Sequence, residues 1–148
     1  MKLRMVTLWL ACVLSSGCAT TNFSTAPSPA TVKTQSTRKG PLTWGGPMLF
    51  RVGNAEMGFG AGSGTYTVDS GTTTLRIWYY GNLNGFKGLF TRTDLVELPA
   101  TLAPNGHYEL RAWAGPGDTT VKFHLVDLGT NSEIAATGDI PIVLGKSR

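Results

Sequence analysis

Very little in this 148-residue chain invites redox, metal or acid–base chemistry: it holds two cysteines and two histidines, and only 15% of its residues are charged. Both cysteines, Cys12 and Cys18, lie near the start, so the rest of the chain has to fold on its core alone, without an internal disulfide. His107 and His124 cannot make a zinc site by themselves, because such a site needs further donors brought in by the fold. No metal and no cofactor are expected. The glycine-rich run 58–64 lacks a Gly-x-Gly-x-x-Gly match, a Gly-Lys-Ser/Thr ending and a following helix, which argues against phosphate binding. There is no Gly-x-Ser-x-Gly nucleophile elbow.

What the chain does have begins with MKLRMVTLWLACVLSSGCATT. Lys2 and Arg4 precede an uncharged apolar run over residues 5–14 that is too short to span a bilayer as a folded helix, which is the pattern of a removed signal peptide. The ending Leu14-Ser15-Ser16-Gly17-Cys18 resembles the lipobox of bacterial lipoproteins. That resemblance implies cleavage after residue 17, lipidation (palmitate included) of Cys18, and, with Ala19 rather than Asp next, anchoring in the outer membrane facing the periplasm. Cys18 would then be the only cysteine of the mature protein, its sulfur blocked.

Residues 18–39 read as a flexible tether: 14 of the 21 residues from Ala19 to Lys39 are Thr, Ser, Ala or Pro. As a random coil it would hold a domain about 25 Å from the membrane. Residues 40–148 are expected to form one domain. The formal charge of the whole chain is +4, but residues 40–148 carry 8 basic and 9 acidic side chains, a net of −1, so no nucleic-acid partner is expected. No stretch keeps a 3.6-residue apolar period, whereas short alternating runs such as TTLRIWYY and HYELRAW recur between Gly- and Asn-rich turns. The predicted fold is all-β, a single β-sandwich of immunoglobulin-like or jelly-roll-like kind.

Two segments look alike. SGTYTV (63–68) followed by GTTTLRIWYY (71–80) resembles NGHYEL (105–110) followed by GDTTVKFHLV (117–126). Alternation places Tyr66, Val68, Leu75, Ile77, Tyr108, Leu110, Val121, Phe123 and Leu125 inward. The spacing predicts two hairpins, the first with Tyr66 opposite Ile77 around a Gly71-Thr72 turn, the second with Glu109 opposite His124. Asp69 then flanks a turn. Its surroundings, Asp69-Ser70-Gly71-Thr72, also resemble the catalytic motif of aspartic proteases, which implies a homodimeric peptidase if two copies supply two carboxylates, with Val143-Leu144-Gly145 as a second echo.

The outward positions carry Arg76, Trp78 and Tyr80 in the first segment and His107, Glu109, Arg111 and Trp113 in the second. Flat aromatics beside charged groups suit a protein or glycan partner, unless that face packs under a second sheet. The candidate binding residues are Arg76, Trp78, Tyr80, Glu109, Arg111 and Trp113. The expectation is a non-enzymatic binding or assembly component of the envelope, with an immunity or inhibitor lipoprotein against an envelope toxin, or an Asp69 peptidase, as alternatives.

Overall fold

The computed structural model describes residues 20–38, 43–56, 63–82 and 89–146. The expected signal peptide and Cys18 lie outside the described residues, as does most of the glycine-rich run. Among the described residues there is no helix, and so none long and apolar enough to cross a membrane. The described residues form fifteen strands. The first five are β1 (Thr20–Asn22), β2 (Ala30–Thr34), β3 (Thr37–Arg38), β4 (Trp44–Val52) and β5 (Ala55–Glu56). The next five are β6 (Gly64–Val68), β7 (Gly71–Asn82), β8 (Leu89–Arg92), β9 (Val96–Leu102) and β10 (His107–Ala112). The last five are β11 (Thr120–Val121), β12 (Phe123–Asp127), β13 (Ser132–Ala136), β14 (Ile140–Pro141) and β15 (Val143–Lys146).

They build a β-sandwich. The first sheet runs β1-β6-β2-β10-β12-β13, and the second runs β15-β8-β7-β4-β3, with β5 added to β4 and β9 to β7; β11 and β14 form a separate pair. Alternation decides what lies between the sheets. Val32, Tyr66, Val68, Leu110, Phe123 and Leu125 of the first sheet meet Leu49, Leu75, Ile77, Tyr79, Leu98 and Leu102 of the second in one core. All nine residues that alternation places inward are buried. At about 25 cal/mol per Å² of apolar surface removed from water, this shared layer is the main force holding a disulfide-free sandwich together.

The N-terminal segment differs from its expected role. Much of the predicted tether is folded, because the run Ala-Thr-Val-Lys-Thr of β2 alternates small inward with polar outward residues. Ala30 and Val32 are fully buried and Thr34 is 1% exposed. β2 lies between two partners, parallel to β10 and antiparallel to β6, so its backbone groups are satisfied on both edges. β1 joins β6 in parallel, and the Ser24 hydroxyl donates to Asp69 Oδ1 at 2.5 Å, closing the link between β1 and β2 onto the fold. Thr-rich composition, read as disorder, here supplies β-branched strand formers.

The first predicted hairpin is a crossing between sheets. Tyr66 sits opposite Val32 and Ile77 opposite Leu49 and Val96, so β6 and β7 belong to different sheets and do not pair. Gly71 has a φ of 110°, a conformation few side chains adopt, and it directs the chain across the core after Asp69 and Ser70. In the second segment β10 and β12 do pair, but with Arg111 opposite His124 and Glu109 opposite Val126. That register is two residues away from the predicted one.

Glycines allow the closest backbone approach, between β4 and its neighbours. A Cβ on Gly81 would lie 2.5 Å from the Trp44 carbonyl oxygen and 2.6 Å from the Gly45 Cα. One on Gly46 would lie 2.8 Å from the Ser36 Cα, where the chain passes from the first sheet to the second.

Candidate functional site

The sequence-predicted binding residues do not form one platform. Arg76, Trp78 and Tyr80 point outward from β7 in the second sheet, while Glu109 and Arg111 lie on the outer side of β10 in the first, with Trp113 just past its end. The core separates the two groups. Neither group packs between the sheets: Trp78, Tyr80, Glu109 and Trp113 are half-buried, and Arg111 is exposed.

On the second sheet, register collects an aromatic cluster. Tyr80 lies opposite Arg92 of β8, and Trp44 of β4 lies opposite Asn82, two residues along β7 on the same face. The Tyr80 ring stacks on Phe90 with centroids 5.5 Å apart and 11° between planes, and on Trp78 at 6.1 Å and 26°. Trp44 tilts against it at 5.7 Å. Met48, opposite Trp78, and Val143, opposite Arg92 and 49% exposed, extend the apolar area. Arg38, opposite Trp44, and Arg92 border it, and neither is ion-paired with a described residue. Rings in these offset and tilted arrangements hold one another in place, which lowers the entropy lost when a partner covers them.

Arg76 belongs to a different patch of the same sheet. Its guanidinium donates twice to Glu97 Oε1, at 2.9 and 2.7 Å, and it lines a polar hollow of about 390 Å³ with Arg51, itself paired with Glu56, and Thr72, Thr73 and Thr74.

On the first sheet, a groove of about 530 Å³ runs over β10 and β12. Arg111 Nε donates to Glu109 Oε2 at 2.6 Å, and Lys122 Nζ lies 3.6 Å from Asp139 Oδ1. His124 Nδ1 is 2.5 Å from Glu133 Oε2 on the neighbouring strand β13. Trp113, Ala112 and Val121 supply the apolar lining, and Gln35, Thr37 and Thr120 further hydrogen-bonding groups. His107 lies apart from the groove, its Nδ1 2.7 Å from the Thr31 hydroxyl. Among the described residues no three His, Cys, Asp or Glu side chains converge as metal ligands.

Asp69 is exposed on the crossing between β6 and β7 and accepts the Ser24 hydroxyl, while residues 143–145 pair with β8 on the edge of the second sheet. Two tyrosines of the core have their hydroxyls shifted by their surroundings. Burial pushes the Tyr79 hydroxyl above its usual value, with Asp118 adding to the effect and the nearby Ala114 backbone opposing it. That hydroxyl is fully enclosed without a hydrogen bond of good geometry. Burial also raises Tyr66, partly offset by its hydrogen bond with Thr34.

Sequence reasoning missed Trp44, Phe90, Arg38 and Arg92 on one face and Gln35, Lys122 and Asp139 on the other. The first set depends on strand neighbours far apart in sequence; Lys122, by contrast, was visible as an outward position flanked by buried Val121 and Phe123. Comparison of the chain with protein-family models, with curated proteins and with solved structures finds no match.

Proposed function

We propose that the chain is a lipid-anchored, non-enzymatic binding component of the bacterial envelope, held to the outer membrane through Cys18, and that a protein partner docks on the aromatic face of the second sheet. The observation that carries this reading is the cluster of Trp44, Trp78, Tyr80 and Phe90 outside the core, flanked by two arginines without ion-pair partners among the described residues. Aromatic residues and arginine are the types that dominate interface energies, and a core that closes without these rings leaves them for another role. Asp69 supports structure in this reading, because its carboxylate ties the β1–β2 link to the sheet crossing.

In this reading the anchor lies close to the folded domain. With lipid on Cys18 and β1 beginning at Thr20, only Ala19 separates anchor and sheet, a span of about 7 Å at full extension. The domain then rests against the bilayer and meets partners that come to the membrane surface.

Substituting Trp78→Ala tests the docking face. The expected result is a loss of partner capture of about tenfold or more, measured by crosslinking in intact envelopes from a photoreactive residue at position 48, with the melting temperature within a few degrees of wild type. Unchanged crosslinking with a folded domain overturns the docking reading. Cys18→Ser tests the anchor separately: it should release the protein from the membrane fraction and abolish incorporation of labelled palmitate.

A further inference from the structure

We propose that the groove on the outer face of the first sheet is a saccharide subsite that holds a neutral pyranose chain against Trp113. This inference concerns the face opposite the aromatic cluster and does not depend on what docks there.

The cations lining the groove, Arg111 and Lys122, each stand beside a carboxylate that also lines it, Glu109 and Asp139, and His124 is held by Glu133. Among the described lining residues two positive and two negative side chains balance, so the groove gives an ion little electrostatic advantage over a neutral ligand while its cations keep further N–H groups to donate. Sugar hydroxyls donate and accept at once, so they need a wall offering both roles. Arg111 and Lys122 donate, Glu109 and Asp139 accept, and Gln35 does both through one planar amide. Among the described residues the apolar lining apart from Trp113 is Ala112 and Val121, too little for the side-chain pockets by which peptides are read. A half-buried indole among planar polar groups instead matches a pyranose, whose C–H face covers the ring while its equatorial hydroxyls reach the rim. A groove of about 530 Å³ lies within the usual range of small-ligand sites.

The test is calorimetric titration of the full-length purified protein in detergent with neutral tetrasaccharides of β-linked glucose and of β-linked N-acetylglucosamine, alongside an acidic tetrasaccharide of galacturonate and a mixed tetrapeptide. At least one neutral sugar is expected to bind with a Kd of about 1 mM or below, changing little between low and high salt. Trp113→Ala should weaken it about tenfold or more. Trp113→Phe, which keeps a ring and guards against a folding artefact, should retain most of the affinity, and Gln35→Ala, at an exposed position, should weaken it several-fold. Trp78→Ala should leave it unchanged, so failure of the docking face and failure of this groove are separable. The proposal is overturned if no neutral sugar binds at about 10 mM, if the acidic sugar or the peptide binds in preference, or if Trp113→Ala titrates as wild type.

Discussion

The two outer faces of the sandwich solve opposite problems with similar residues. Around Tyr80 the rings touch one another and the bordering cations, Arg38 and Arg92, have no ion-pair partners among the described residues, so the face has area and unspent charge. Around Trp113 almost every charge is already matched, and the groove offers directional groups instead of area. Area rewards a large complementary surface, whereas matched directional groups reward a small polar ligand whose own groups replace water one for one. A tryptophan alone therefore says little about its ligand; its neighbours decide.

The comparison breaks most completely if the framework that holds the faces apart is lost. Val32→Asp puts an unpaired carboxylate at the centre of the first sheet and should cost about 3–5 kcal/mol, enough to unfold the domain in urea titrations and to erase both binding activities. Gly81→Val, pressing on the Trp44 and Gly45 backbone, should destabilise by about 2–4 kcal/mol and disturb the aromatic face before the groove, visible as an early loss of near-ultraviolet aromatic ellipticity. Alkaline pH should act on the inner walls of both sheets together. Tyr79 and Tyr66 hold their protons more tightly folded than unfolded, so the stability they support is complete below pH about 10 and declines as pH rises through their raised values. Tyr79→Phe should blunt that decline in chemical denaturation followed against pH, and at neutral pH it should be neutral or stabilising by up to about 1 kcal/mol, since it removes an unsatisfied buried hydroxyl. The smallest effect is expected from Glu97→Gln, which breaks a partly exposed pair with Arg76 and should shift stability by less than about 1 kcal/mol while leaving both faces working.

The inward face was legible in the sequence, and the partners of each strand were not. Tyr66, Val68, Leu75 and Ile77 alternate correctly and all reach the core. In a sandwich, however, a hairpin within one sheet and a crossing between two sheets send the same alternating residues inward, so period two cannot tell them apart. The two residues between β6 and β7 lead to the opposite sheet, while the longer path from β10 to β12 returns to the same one. β2 escaped notice for a different reason. Its inward residues are Ala30, Val32 and Thr34, small side chains in a Thr- and Pro-rich context, and its stability comes from neighbours on both edges rather than from its own apolar content. The candidate binding residues were legible singly, as outward aromatics and charges, but their division between two faces depended on those same strand pairings.

The central place of β2 also makes the first sheet depend on pairings far apart in sequence. Thr31 and His107 are hydrogen-bonded neighbours separated by 76 positions in sequence, and the slot β2 occupies does not exist until β6 and β10 are both in place. Closing so long a loop makes for slow folding, in the millisecond-to-second range typical of domains built on distant pairings. A chain made from its N-terminus onward can pair one edge of β2 with β6 once residue 68 has emerged, but the other edge stays open until β10 is complete at Ala112.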